Sequence, residues 1–223
     1  MMRPDHQLSV IGCGEVFNAL ESDAADFNFE TEKVVFIRLN DVSEAAQFAD
    51  QFLPSKNPLE EDVFVAIDDH ALNYARLEIY ARARLMGFKM PTVVHQSAHI
   101  SRTARMGDNV YVGAGSLIAA NCQIASNSFI GAGVRIDADS SIAAHSWVGS
   151  GARIGRQSEL SSHVVIHADA VLRAQTHVGA HCWLDASTTW HGDVPTGTLM
   201  EPGYRAPARI IGPGYSYEKR RSK

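Results

Sequence analysis

A chain of 223 residues with a net charge of −5 and 45% hydrophobic residues can bury one large or two modest cores. That charge excludes a broad basic surface for nucleic acid, and no apolar stretch reaches the ~18 residues of a membrane span. Met1–His6 run into a strand pattern without a secretory leader, and Cys13, Cys122 and Cys182 are widely spaced with no metal-ligand pattern. A reduced, cytoplasmic setting is expected.

In chain order, Leu8–Ile11 followed by Gly12-Cys13-Gly14 reads as a strand and a glycine turn. The glycine pair either cradles a phosphate near a helix start or is a plain strand–turn. Val34–Ile37 is a second strand, Asp41–Phe52 a helix capped by Asp41 or Ser43, Val63–Ile67 a third strand, and Leu72–Met86 a helix ending at Gly87. Strands alternating with helices predict a small Rossmann-like parallel sheet over residues 1–91.

From Ile100 the period changes to six: Ile100, Met106, Val112, Ile118, Ile124 and so on to Leu184 are all large aliphatics, with Val94 one step earlier. The residue four after each is small (Ser116, Cys122, Ser128, Ser140, Cys182 among them), and the residue one after is often glycine, as at Gly107, Gly113, Gly131 and Gly149. Neither a helix nor an alternating strand has this period. It suits a solenoid of short strands and corners with eighteen residues to a three-sided turn, over residues 92–190. One aliphatic points inward on each side, and the glycines are expected where corners need no bulk. Cys122 and Cys182 fall on small, inward positions. After Leu184 the pattern is expected to fray into a loop and tail, 191–223, whose terminal Lys219-Arg220-Arg221 and Lys223 read as a solvated end.

Phe64–Ile67, the helix after it, Gly87-Phe88 and Pro91-Thr92-Val93-Val94-His95 resemble the join between the domains of PglD/NeuD-type sugar acyltransferases. Asp193-Val194-Pro195-Thr196-Gly197 and Ala206-Pro207-Ala208-Arg209 resemble the segment that flanks coenzyme A in that family. The resemblance covers roughly residues 63 to 210. It implies a left-handed parallel β-helix behind an α/β domain that binds a nucleotide-linked sugar, acetyl-coenzyme A as co-substrate, a homotrimer and no metal. It also implies coenzyme A contacts at Trp147, Ala168, Ala186, Pro207 and Arg209, and sugar contacts at Gly12, Gly14 and Asp139.

Against the family's Ile-x-His-Asp-[Cys/Ser] hexad this chain has Ile136-Asp137-Ala138-Asp139-Ser140, and Gly131 stands where an asparagine is common. The first glycine turn continues as Glu15-Val16-Phe17, without the family's Gly-rich, His-bearing sequence. Loss of a general base costs a factor of about 10² to 10⁴, which an amine acceptor tolerates better than an alcohol; N-acylation of an amino sugar is expected. His145, His163 and His181, eighteen apart, form one column. His145 is either a substitute base or part of a polar ladder continuing Asn109 and Asn127. Asp139 either holds the acceptor's ammonium or caps turn amides. His167, His177 and His191 read as strand-face, interface or loop residues. A zinc enzyme of the γ-carbonic anhydrase kind needs two histidines five apart, and no pair here has that spacing. A catalytically silent trimeric scaffold is the other alternative.

Overall fold

The computed structural model describes residues 6–185, 188–201 and 203–209. Near its start, β1 (Gln7–Cys13), β2 (Val34–Arg38) and β3 (Glu61–Ile67) form a parallel sheet in the order β2-β1-β3. Ile11, Val63, Val65 and Ile67 turn to one face, under α2 (Ala45–Phe52) and α3 (Tyr74–Leu85). Leu8, Val10, Phe64 and Ala66 turn to the other, against α1 (Glu15–Ser22) and the outer face of the solenoid. Both faces are covered, so the strands read as continuous apolar runs and not as an alternation.

Two elements differ from the sequence reading. Helix α1 was not foreseen as an element, although Val16, Phe17 and Leu20 give it one buried stripe. The helix expected from Leu72 starts only at Tyr74, because Ala71, Leu72 and Asn73 all have left-handed backbone (φ 48°, 53° and 67°). Contacts with the solenoid account for this: the Leu72 carbonyl lies 2.9 Å from His163 Nδ1, and Asn73 Nδ2 donates to the His145 carbonyl at 2.8 Å. Before α2, Asp41 does cap, accepting the Ser43 amide at 2.8 Å.

From Val93 the chain winds into a three-sided parallel coil of two-residue strands, whose sides are sheets of eight, six and six strands. Strands eighteen residues apart pair in register, as Phe129 does with Tyr111 and Trp147. The sixth-residue aliphatics from Val112 to Leu184 are each 2% exposed or less and form one core; Ile100 and Met106, at the open end, are only partly buried. Small residues before each strand also point inward. Ser116, Ser140 and Ser158 donate to carbonyls fifteen residues on, at 2.7–3.1 Å, and the buried Cys122 thiol takes the same place against Asp137 O at 3.3 Å. Each turn thereby satisfies a polar group that the core would otherwise leave unpaired.

The glycines that follow the inward aliphatics serve another purpose than bending. The left-handed corners are taken by Asn, Asp, Gln and His residues from Asn109 to His181 and by Gly115, Gly133 and Gly151, whereas a Cβ on Gly131 would lie 2.6 Å from the Ser150 nitrogen of the next turn. Coil stacking leaves no room there for a side chain in this backbone. Nor does the coil fray after Leu184. Thr189–Trp190, Asp193–Val194 and Thr198–Met200 add a strand to each side, Trp190 and Val194 enter the core, and Ala208–Arg209 pairs antiparallel with the last of these strands. Among the described residues no helix is long and apolar enough to cross a membrane. The basic end, Lys219–Lys223, lies outside the described residues.

Candidate active site

Side chains on the first side of the coil leave its outer face as an aromatic ladder. Tyr111 stacks on Phe129 (4.7 Å, 9°) and Phe129 on Trp147 (3.6 Å, 15°). The ladder packs under Phe17, Phe27 and Phe64 of the first domain. Beside it, at the corner entering this side, Asn109, Asn127, His145, His163 and His181 stand one above another with φ between 51° and 62°.

This column joins the two parts of the chain. Asn109 Oδ1 accepts the Val65 amide at 2.8 Å, so its Nδ2 donates to Asn127 Oδ1 at 2.8 Å, and Asn127 Nδ2 in turn faces His145 Nδ1 at 2.9 Å. The backbone amide of β3 therefore orients the whole chain of bonds and requires a lone pair on His145 Nδ1. His163 and His181 continue the stack at 4.9 and 5.2 Å, Tyr74 lies on His163 at 4.4 Å, and its hydroxyl meets His181 Nε2 at 3.0 Å. Burial, followed by the charges of His163 and Arg76, brings His145 down to about 4; burial also lowers His163. His145 does not line the neighbouring cleft. His145 Nδ1 is thus committed to Asn127, in a ladder that continues Asn109 and Asn127 along the corner.

The cleft, 530 Å³, opens between the domains. One wall is Glu15, Val16 and Ala19 of α1 with Asp68, Asp69 and His70, which follow β3; the floor is the Tyr111–Phe129–Trp147 ladder; Gly149, Ser150, His167 and Ala168 close the corner. It lies at the carboxyl ends of parallel strands, where open α/β sheets place their ligands. Behind it, Arg76 is buried with its guanidinium 5.7 Å from the Trp147 ring, and it donates to the carbonyls of Asn127 (3.0 Å), Ser146 (3.4 Å) and Ile67 (3.4 Å). Burial lowers Arg76 to about 10, with Asp69 and Asp68 opposing, so it stays charged at neutral pH. His167 packs 4.6 Å from the Trp183 ring, with Nε2 buried and unpartnered.

Gly12 and Gly14, expected to touch substrate, are instead required by the chain's own packing. A Cβ on Gly12 would lie 1.7 Å from the Ala66 carbonyl oxygen, and one on Gly14 (φ 93°) would lie 2.2 Å from Asp68 Oδ2. The Asp68 carboxylate accepts the first two amides of α1, from Glu15 at 2.8 Å and Val16 at 3.1 Å. Its charge, after burial, also pushes the Cys13 thiol up. The anion at this helix start is a side chain of the protein.

Trp147 and Ala168 do line the cleft. Ala186 lies outside the described residues, and Pro207 and Arg209 are exposed on the final segment. Asp139 is exposed on the third edge of the prism, away from the column of His145, and accepts from Asn121 Nδ2 at 3.0 Å, so within one chain it does not meet His145. The sequence reading had no role for Asp68, Asp69 or Arg76 and read His167 only as a strand-face or interface residue. The one available signal was an acidic pair directly after a buried parallel strand.

A second depression, 1010 Å³, crosses the second side of the coil. Arg135, Arg153, Arg156 and Arg173 line it, with Asp137 bound to Arg135 at 2.8 Å. Arg135 and Arg153 are direct neighbours in the parallel register, a like-charge pairing that disfavours an empty sheet. The groove begins at Gly115 and Gly133, and Gly133 adjoins Ala132 of the cleft. Among the described residues no group of three His, Cys, Asp or Glu is placed to hold a metal ion.

The chain is similar to the acetyltransferase domain of PglB from Neisseria gonorrhoeae FA1090, with 21% identity, a TM-score of 0.74, and coverage of 92% of this chain and all of that one. The fold that the two chains share is a left-handed parallel β-helix with a small α/β region at its start. PerB from Caulobacter crescentus, solved in complex with CoA and GDP-perosamine, shares it at 22% identity and a TM-score of 0.66 over 86% of this chain and 92% of that one. So does WeeI from Acinetobacter baumannii AYE, at 16% identity and a TM-score of 0.55 over 92% and 100%. A family model described as the GMPPB C-terminal domain matches residues 88–189, the join before the coil and most of the coil itself. A sequence comparison with curated proteins gave no match.

Proposed function

We propose that the chain is a coenzyme-A-dependent N-acyltransferase acting on an amino sugar. The observation that carries this reading is the meeting, at Ala132–Gly133, of an acidic, aromatic-floored cleft with an arginine-lined groove. An amino sugar suits the first: its apolar face lies on the Trp147 ring and its ammonium is drawn by Asp69 and Glu15. The phosphates of an acyl-coenzyme A suit the second, since planar guanidinium groups grip phosphate oxygens in pairs. The thioester arm then rounds the corner into the cleft. The ammonium loses one proton to His70 or His167, the freed amine attacks the thioester carbon, and the intermediate collapses to the amide as the C–S bond breaks and its second N–H proton passes to the departing thiolate. Ala138 supplies no base, which an amine survives. A homotrimer belongs to the same reading: a second copy packed on the arginine side would cover the donor and bring its own Asp139 edge near a neighbour's cleft.

Incubation with acetyl-coenzyme A and a panel of amino sugars, read by mass spectrometry, should show gain of one acetyl group. Complete absence of transfer, together with no thermal stabilisation by millimolar acetyl-coenzyme A, would refute the reading in favour of the silent scaffold that Ala138 suggests. Arg153→Glu should raise the KM for acetyl-coenzyme A about tenfold or more, as loss of a charge-assisted contact does, and leave the KM for the acceptor unchanged. Light scattering should give three times the 24.3 kDa chain mass.

His145→Asn separates its two roles. Asparagine tolerates left-handed backbone and continues the ladder of Asn109 and Asn127, so stability should change by less than about 1 kcal/mol and turnover should persist. A fall of about 10² or more in kcat would restore His145 as the base.

A further inference from the structure

We infer that Asp68 determines the class of acceptor: the cleft takes an amino sugar that brings no diphosphate to the start of α1. The amino-sugar acceptor rests on the reading above, whereas the exclusion of phosphate stands on geometry. In a parallel α/β sheet, the turn after the first strand and the first amides of the next helix form the natural seat for a nucleotide's phosphates. Here the seat is filled. Asp68 bonds both leading amides of α1, at 2.8 and 3.1 Å, and Gly14 is shaped around its carboxylate, with 2.2 Å between a notional Cβ and Oδ2.

A phosphate entering this place would have to expel a carboxylate from two charge-assisted hydrogen bonds and then sit beside Glu15 and Asp69. No lysine or arginine among the described residues lines the cleft to offset that repulsion. Arg76, the nearest cation behind it, is buried and committed to three backbone carbonyls. Arg135, Arg153, Arg156 and Arg173 stand on the other depression, along the second side of the coil. Charge is therefore sorted between the two sites: the cleft is anionic and suits a cation, and the groove is cationic and suits the donor's phosphates. The nucleotide-linked sugar implied by family resemblance does not fit the first domain in the manner its topology suggests.

The test is calorimetric titration of UDP, GDP and inorganic pyrophosphate into the full chain, its Asp68→Asn and Asp68→Gly variants, and Arg153→Glu, with thermal melting to verify folding. Asp68→Asn preserves the side-chain shape, so it remains informative if the glycine variant fails to fold. Wild type should show no diphosphate binding in the cleft, and any binding it does show should vanish with Arg153→Glu, which places it in the groove. Either Asp68 variant should gain diphosphate affinity of about tenfold or more, and an amino sugar should compete with it. Wild-type binding of UDP or GDP that survives Arg153→Glu and is displaced by an amino sugar overturns the inference, as do Asp68 variants that gain nothing. These titrations need no turnover, so a failure of acetyl transfer sinks the acyltransferase reading separately.

Discussion

Replacing Arg76 by alanine should destabilise the chain by about 3 kcal/mol, a fall of roughly 10 °C in Tm for a protein of this size. Arg76 is 3% exposed, lies over the Trp147 ring, and holds carbonyls from both the first domain (Ile67) and the coil (Asn127 and Ser146). Alanine would remove the cation, leave a cavity between the domains and take away the positive charge behind Asp68 and Asp69. Lysine should rescue little, since an ammonium cannot reach three carbonyls in the plane of a fork. Differential scanning calorimetry of Arg76→Ala and Arg76→Lys checks this, and a loss under 1 kcal/mol for alanine would mean that the junction is held by apolar packing alone.

Acid should loosen the same junction. His145 is lowered in the folded chain from 6.5 to about 4, so between those values the unfolded chain binds more protons than the folded one. The stability due to the neutral ring is complete above pH ~6.5 and falls away as pH drops toward ~4. Allowing for partial exposure of the ring, its share is about 1–2 kcal/mol, with His163 adding in the same direction because burial lowers it too. Protonation of His145 would set an N–H against the Asn127 amide donor and a charge beside His163 and Arg76, with the Tyr80 ring packed across it at 5.8 Å. Urea titrations of wild type and His145→Asn at pH 7 and pH 4.5 isolate this from the carboxylates that titrate nearby. The stability gap between the two proteins should move in favour of the variant at low pH; a gap independent of pH would exclude the histidine as its source.

The arginine groove and the acidic cleft differ in how they could have been found. Arg135 and Arg153 are eighteen apart, so once the period is known they must be neighbours on one side, and their like charges follow from the sequence alone. The cleft needs residues from α1, from the end of β3 and from four turns of the coil, and no local pattern links Glu15 to Asp69 or Trp147. His145 carries the same lesson. Its column was legible from the eighteen-residue spacing, but the occupant of the outer side of that column was not, because the α/β domain returns over it through Leu72, Asn73 and Tyr74.

The three-sided coil was written in the sequence because each turn repeats one local rule: an inward aliphatic, a small residue before the strand and a glycine where the next turn stacks. Local chemistry reiterated many times needs no distant contact to be recognised. Tertiary structure alone decided the site. The docking of the first domain on the aromatic ladder turns His145 into part of a joint and leaves Asp68, not a phosphate, at the start of α1, since burial and hydrogen-bond partners are properties of what packs against a residue.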